Sequence, residues 1–305
     1  MASVTPVVPA SAAERLSARG PAPRVDFLGL GVQKAATTWL YRILAAHPGI
    51  FMARAEDKDL RFFSAYYDRG HLWYERHFAA AGSRRCGEFS TSYFYSKDAP
   101  ERVFRYHPGI RLLLSLRDPV ERLVSHHIHE IRVGRVRGDL SLARALESNP
   151  SYVEQSMYYT QLSRWLEWFP RSSFHIVIFE EMFRDPERTA RELYAFVGVD
   201  EAFVPDGLGE KVNERRVPRS LLIERGIRRL SAALRSIGGG PIVESLKSRR
   251  AARRLSTRSD LDIGLDDSLA ATLRAKFAEE NARLAAVLGR DLSVWPSWTG
   301  TREDA

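Results

Sequence analysis

One cysteine, Cys86, stands among 305 residues, so no disulfide can form within the chain. Its thiol is read as a buried, inert group, and a reducing, cytoplasmic setting is the expectation. No stretch approaches the ~20 consecutive apolar residues that a helical membrane span needs. Histidine, cysteine and acidic residues nowhere gather at metal-ligand spacing, so no metal centre is expected. No Gly-Lys-Ser/Thr closes a Walker A loop, which argues against an ATP- or GTP-hydrolysing protein. Motifs with groove geometry for nucleic acid are absent, as are internal repeats. The first 23 residues lack a basic region followed by an apolar one and read as a mobile Ala-, Pro- and Ser-rich leader, not a secretory signal.

What is present is an ordinary globular composition, 44% hydrophobic, with a net charge of +8. The charge is uneven. Between Lys211 and Ser259 fourteen Lys or Arg face three Glu, leaving the rest of the chain slightly acidic. That segment faces an anion or simply water. One domain over residues 24–305 is expected, with 221–305 a mostly helical C-terminal region.

Along the chain, apolar runs at Arg24 to Leu30, Ile110 to Leu116 and Phe174 to Phe179 read as buried parallel strands. Helical spacing over Thr37 to Ala46, Val120 to Val133, Met157 to Trp168 and Pro186 to Val197 separates them. Strands alternating with helices predict an α/β fold of three layers, a central parallel sheet flanked by helices in a P-loop-like arrangement. Ser90 to Tyr95 fits the end of a strand or the start of a helix equally well. Leu221 to Ile237 carries an apolar stripe beside Arg225, Arg228, Arg229 and Arg235, and a last helix carries Leu269, Leu273, Phe277, Leu284 and Leu288.

Two segments carry chemistry. Gly31 to Trp39 links a strand to a helix through small residues, letting backbone N–H groups approach a phosphate while the helix dipole favours negative charge. Lys34 adds a point charge, and Thr37 and Thr38 add hydroxyls at the first turn. Farther on, Arg117 ends a strand where open parallel sheets bind ligands, and its guanidinium suits bidentate hold of a phosphate. Pro119 fits a first helical turn, and Ser125 lies about two turns in.

Lys34-Ala35-Ala36-Thr37-Thr38-Trp39 resembles the 5′-phosphosulfate loop of sulfotransferases that use 3′-phosphoadenosine 5′-phosphosulfate (PAPS). Leu116-Arg117-Asp118-Pro119 with Ser125 resembles that family's 3′-phosphate motif. The flanks, Gly29-Leu30-Gly31 and His47-Pro48, are most similar to bacterial and heparan-sulfate-type members. The resemblance implies that Lys34, Ala35, Ala36, Thr37 and Thr38 hold the 5′ end and that Trp39 stacks on adenine. It further implies that Arg117 and Ser125 hold the 3′-phosphate, and that 3′-phosphoadenosine 5′-phosphate (PAP) is the product. Arg215, Arg216 and Arg219 sit where the family has a basic loop over the nucleotide, or else form an exposed linker.

Sulfuryl transfer needs a base for the acceptor proton and positive charge on the departing oxygen. Lys34 suits the second task. For the first, Asp59 in Lys58-Asp59-Leu60-Arg61-Phe62-Phe63 falls on a family Glu, one methylene shorter. Glu88 in Gly87-Glu88-Phe89-Ser90 is the other candidate. There Phe89 replaces a family Lys, a charge that Lys58 or Arg61 would have to supply. His126, His127 and His129 follow Arg117 and are read as ordinary helix-surface residues, though one of them can titrate near neutrality. The expected partner is a small-molecule, carbohydrate or glycolipid acceptor, attacked through a hydroxyl in preference to an amine. Peripheral membrane contact through 221–258 is a further expectation. The competing readings are a nucleotide-binding P-loop protein and a basic membrane-surface binder.

Overall fold

The computed structural model describes residues 25–53, 59–136, 140–208 and 265–299. Within them five short strands form one sheet: β1 (Phe27–Gly31), β2 (Ile50–Met52), β3 (Arg85–Phe89), β4 (Arg111–Leu116) and β5 (Phe174–Ile178). Their order is β2-β3-β1-β4-β5, and every pairing is parallel. Eleven α-helices accompany them among the described residues: α1 (Thr37–Ala46), α2 (Phe62–Ala65), α3 (His71–Glu75), α4 (Ala99–Tyr106), α5 (Pro119–Arg132), α6 (Leu142–Ser148), α7 (Ser151–Glu154), α8 (Tyr158–Leu166), α9 (Phe179–Met182), α10 (Pro186–Val197) and α11 (Asp267–Leu288).

Alternation along the strands builds the two faces. Leu28, Leu30, Leu112, Leu114 and Ile176 join the cluster that holds Tyr106, Leu162, Trp165, Leu284 and Leu288, so α4, α8 and α11 cover that face. Phe27, Phe89, Leu113 and Val177 point the other way, onto Leu40, Leu44, Leu193 and Val197 of α1 and α10. Each fully buried side chain of this kind contributes about 1.5–3 kcal/mol, and the three layers expected from the sequence follow.

The glycines inside the strands have a packing cause. Phe27 lies across from Gly87 and Phe89 across from Gly29. A Cβ at Gly29 would sit 2.0 Å from the Phe89 ring, and one at Gly87 would sit 2.1 Å from the Phe27 ring. Each ring occupies the space its partner's side chain would need, drawing β1 and β3 together.

The expected helices agree closely with α1, α5, α8, α10 and α11. The first strand begins at Phe27, later than the Arg24 start expected. Strand β2 was not anticipated, and β3 was foreseen only as a possible strand end near Ser90, because Gly87 and Glu88 interrupt its apolar run. Ser90 to Tyr95 forms turns, neither strand nor helix. His126 and His127 correct another expectation: both are buried, packed on Tyr152, and do not lie on a helix surface. Cys86 is buried, as expected. The leader 1–23, Lys58, the loop with Arg215, Arg216 and Arg219, the helix read over 221–237 and the proposed membrane-contact stretch 221–258 lie outside the described residues. No helix among the described residues is long and apolar enough to cross a membrane.

Candidate active site

The sheet order places the chain's reversal at β1, with β3 on one side and β4 on the other. Ligands of open parallel sheets bind outside the carboxyl ends at such a point. The loops that leave β1, β3 and β4 meet there.

The loop after β1 is anchored to β4 by two bonds. Val32 N–H donates to the Ser115 carbonyl at 2.9 Å, and Ser115 Oγ donates to the Ala35 carbonyl at 2.5 Å. Between these anchors Lys34 and Ala36 take left-handed φ values of 77° and 58°. For residues with a Cβ such conformations cost on the order of 1–3 kcal/mol each and persist only where the surroundings enforce them. Ala36 then opens α1 with no side-chain cap. Thr37 is buried and Thr38 half-buried at its first turn. The loop thereby gathers a lysine and two threonines at the carboxyl end of β1.

Arg117 reaches the same space from β4. Its side chain is 12% exposed, Nη1 donates to the Lys34 carbonyl at 3.4 Å, and Nη2 meets Glu121 at 3.1 Å. The guanidinium also lies 4.5 Å above the Phe179 ring, a cation–π contact that fixes its plane. Its main chain is held as firmly. Tyr158 Oη donates to the Arg117 carbonyl at 2.9 Å. The fully buried Asp118 caps α5 by accepting from Glu121 N–H at 2.9 Å, and it accepts from Ser297 N–H at 2.7 Å. Glu180 takes Asp118 N–H through one oxygen and Trp295 Nε1 through the other. Ser125, half-buried, follows on α5.

Behind Arg117 the helix α5 is cationic. Arg122 is fully buried, donating from Nε to Ser156 Oγ at 2.5 Å and from Nη2 to the Tyr152 carbonyl at 2.6 Å. Desolvation lowers its guanidinium to about 10, still charged at neutral pH. His126 is pushed down to about 3, first by burial and then by Arg122 and Lys34. Burial also lowers His127, which hydrogen-bonds the Leu140 carbonyl at 3.0 Å. His126 is buried, with Nε2 facing the Glu130 carboxylate at 3.7 Å.

The loop after β3 carries the carboxylates. Glu88 is 1% exposed and accepts from Tyr93 Oη at 2.6 Å, Ser90 Oγ at 2.9 Å and Tyr74 Oη at 3.0 Å. Burial pushes its carboxyl up to about 7 against the pull of those three hydroxyls, and neighbouring Asp59 adds to the rise. Asp59 is half-buried in the segment before α2. Its N–H donates to the Phe89 carbonyl at 2.9 Å, and Oδ1 accepts from Thr91 N–H at 2.8 Å and Thr91 Oγ1 at 3.2 Å. Oδ2 receives no hydrogen bond among the described residues. The shorter acid therefore rides on backbone tied directly to the sheet.

Three further positions are informative. Trp39 lies in the apolar cluster under α1, 2% exposed, edge-on to Phe183, with Nε1 donating to the Leu208 carbonyl at 3.1 Å. Phe89 points into that same cluster, so no charge stands at its position. Arg61, the one described candidate for that charge, holds its guanidinium 5.7 Å from the Tyr66 ring. No group of three potential metal ligands occurs among the described residues. Ser115, Tyr158, Glu180, Trp295 and Ser297 were not singled out in the sequence, although Ser115, a lone hydroxyl in an apolar strand, was a usable signal.

A family model described as the sulfotransferase domain matches residues 24–212. Heparan sulfate glucosamine 3-O-sulfotransferase 5 of Mus musculus is 29% identical over 171 residues, 52% of this chain and 48% of that protein. The bifunctional heparan sulfate N-deacetylase/N-sulfotransferase 3 of Homo sapiens is 28% identical over 196 residues, 57% of this chain and 22% of that protein. A solved sulfotransferase from Alicyclobacillus acidocaldarius has a TM-score of 0.65 at 25% identity, over 89% of this chain and 98% of that one. The chain spans about half or less of the length of these curated relatives.

Proposed function

From the chain's membership of the sulfotransferase domain family, we propose that it moves a sulfuryl group from PAPS to a hydroxyl of a sugar-containing acceptor. The observation that carries the reading is the junction of the two phosphate motifs. Arg117 at the end of β4 reaches back to the Lys34 carbonyl, so the two motifs adjoin at the carboxyl ends of neighbouring strands. The residues suit a nucleotide with phosphates at both ends: Lys34, Thr37 and Thr38 at one, Arg117 and Ser125 at the other.

The acceptor oxygen attacks sulfur, the bond from sulfur to the bridging phosphate oxygen breaks, and PAP departs. Asp59 takes the acceptor proton through Oδ2, and Lys34 neutralises charge growing on the leaving oxygen. Similarity to heparan sulfate enzymes tilts the acceptor toward carbohydrate.

Thermal unfolding with and without PAP tests the donor. At a hundred times its dissociation constant a ligand adds about 2.7 kcal/mol of stability, a readily measured shift. PAP is expected to raise the midpoint where ADP and ATP–Mg²⁺ do not. A preference for ATP–Mg²⁺ would overturn the assignment.

A further inference from the structure

Asp59 is the acid with a free oxygen, yet the network around it centres on Glu88. Glu88 lies beneath Tyr74 and Tyr93, both wholly buried, and both its oxygens are taken by hydroxyl donors. No acceptor molecule reaches it in this arrangement. Its bonds lead outward to Asp59 by two routes. Ser90 Oγ, which donates to Glu88, accepts from Arg61 N–H at 2.9 Å, while Tyr93 Oη accepts from Phe63 N–H at 3.4 Å. One residue beyond Ser90, Thr91 grips Asp59 Oδ1 through its N–H and its hydroxyl. A contact between Ser64 Oγ and Ser92 Oγ at 2.7 Å closes the seam.

The segment being held is strained. Asp59 and Arg61 have φ values of 68° and 54°, left-handed conformations that a residue with a Cβ keeps only under constraint. Glu88 supplies that constraint at the hub of the seam. Resting on the transfer reading above, we infer that Glu88 is a positioning residue whose ionised carboxylate locks Ser90 and Tyr93, and through them aims Asp59 Oδ2 at the acceptor.

The chemistry follows from donor counting. An ionised carboxylate only accepts, so it satisfies three O–H donors at once. A protonated one carries a proton of its own, and on Oε2 that proton opposes the Ser90 hydroxyl, which has to turn from donor to acceptor. The groups facing Glu88 are Tyr74 from α3, Tyr93 and Ser90 from the loop after β3, and Asp59 from the segment before α2. With burial raising its carboxyl to about 7, the change falls within the neutral range.

Glu88→Gln and Ser90→Ala test this in the full chain, by kinetics and by amide exchange. In Glu88→Gln the side chain keeps its size but brings a donor to Ser90. The kcat is expected to fall roughly ten- to hundredfold, as a small misplacement of a reacting group does, with KM for PAPS unchanged. The step near neutral pH in the wild-type kcat profile should be absent from Glu88→Gln. Ser90→Ala should cost a similar factor, and the double variant no more than either alone, since both cut one path. Independently of activity, the Arg61 and Thr91 amides should exchange faster in Glu88→Gln while the Val32 amide stays protected. That readout stands even if PAP fails to bind, so failure of the donor reading is told apart from failure of this one. Additive losses, or unchanged exchange at Arg61 and Thr91, would overturn the positioning role. Full kcat in Asp59→Asn with none in Glu88→Gln would instead make Glu88 the base and overturn it equally.

Discussion

The two flanks of β1 solve opposite electrostatic problems. On the β4 side the protein buries two guanidinium groups, Arg122 fully and Arg117 nearly so, with Asp118 and Glu121 beside them and His126 kept neutral first by burial and then by Arg122 and Lys34. On the β3 side it buries a carboxyl, Glu88, and surrounds it with hydroxyls and no ion pair among the described residues. Burying a charge is costly unless it is paired or hydrogen-bonded, and each flank meets that cost differently, the first with Glu121, Ser156 and a carbonyl, the second with three hydroxyls. In the proposed transfer the β4 flank holds the charged donor, whereas the β3 flank keeps a hydrogen-bonded acid beside Asp59 Oδ2. In that proposal the central strand β1 separates holding the donor from activating the acceptor.

The comparison can be broken from the acidic side with the largest effect. Asp59→Asn removes the proposed base while leaving the bonds from Thr91 one acceptor oxygen. Its kcat should fall on the order of 10²- to 10⁴-fold in a transfer assay with PAPS, the usual range for a lost general base. A loss below tenfold would move the base elsewhere.

A smaller effect sharpens the comparison through stability. Glu88 is raised and His126 is lowered, so their linkages run in opposite directions. A raised carboxyl binds its proton more tightly in the folded chain; its contribution is full at low pH and is lost as pH climbs toward about 7. A lowered imidazole binds its proton more tightly when unfolded; its contribution is full above the ordinary histidine value and is lost as pH falls toward about 3. His126→Phe keeps a ring against Tyr152 and removes the second linkage. Chemical unfolding from pH 7 down to pH 4 should therefore show a shallower loss of stability in the variant than in the wild type. Equal slopes would mean that His126 is solvated and not buried as described.

How much of this was legible in the sequence divides along the same line. The cationic flank was readable because its parts are local: Lys34 and Thr37 share one turn, and Arg117 and Ser125 share one strand end and helix. The extents of α1 and α10 followed from helical spacing over Thr37 to Ala46 and Pro186 to Val197. The acidic flank was only half visible. Asp59 and Glu88 were both named, but their ranking depends on tyrosines from α3 and the loop after β3 that close over Glu88, contacts between residues up to 32 positions apart. Strand β3 hid because Gly87 and Glu88 serve packing and hydrogen bonding where a simple strand would place apolar side chains. The support of Arg117 by Trp295 and Ser297 hid for the same reason, since Ser297 meets Asp118 across 179 residues. Trp39 shows the converse: its motif implied contact with adenine, while its surroundings among the described residues are Phe183 and Leu208.

The division of labour is tested most directly by titration calorimetry of PAP against Arg117→Ala and Asp59→Asn. Losing a charge-assisted hydrogen bond costs about 1.5–3 kcal/mol, so Arg117→Ala should bind PAP roughly ten- to hundredfold more weakly than the wild type. Asp59→Asn, altered on the other flank, should bind PAP as the wild type does. Equal weakening in both variants, or wild-type affinity in Arg117→Ala, would contradict the separation of donor and acceptor across β1.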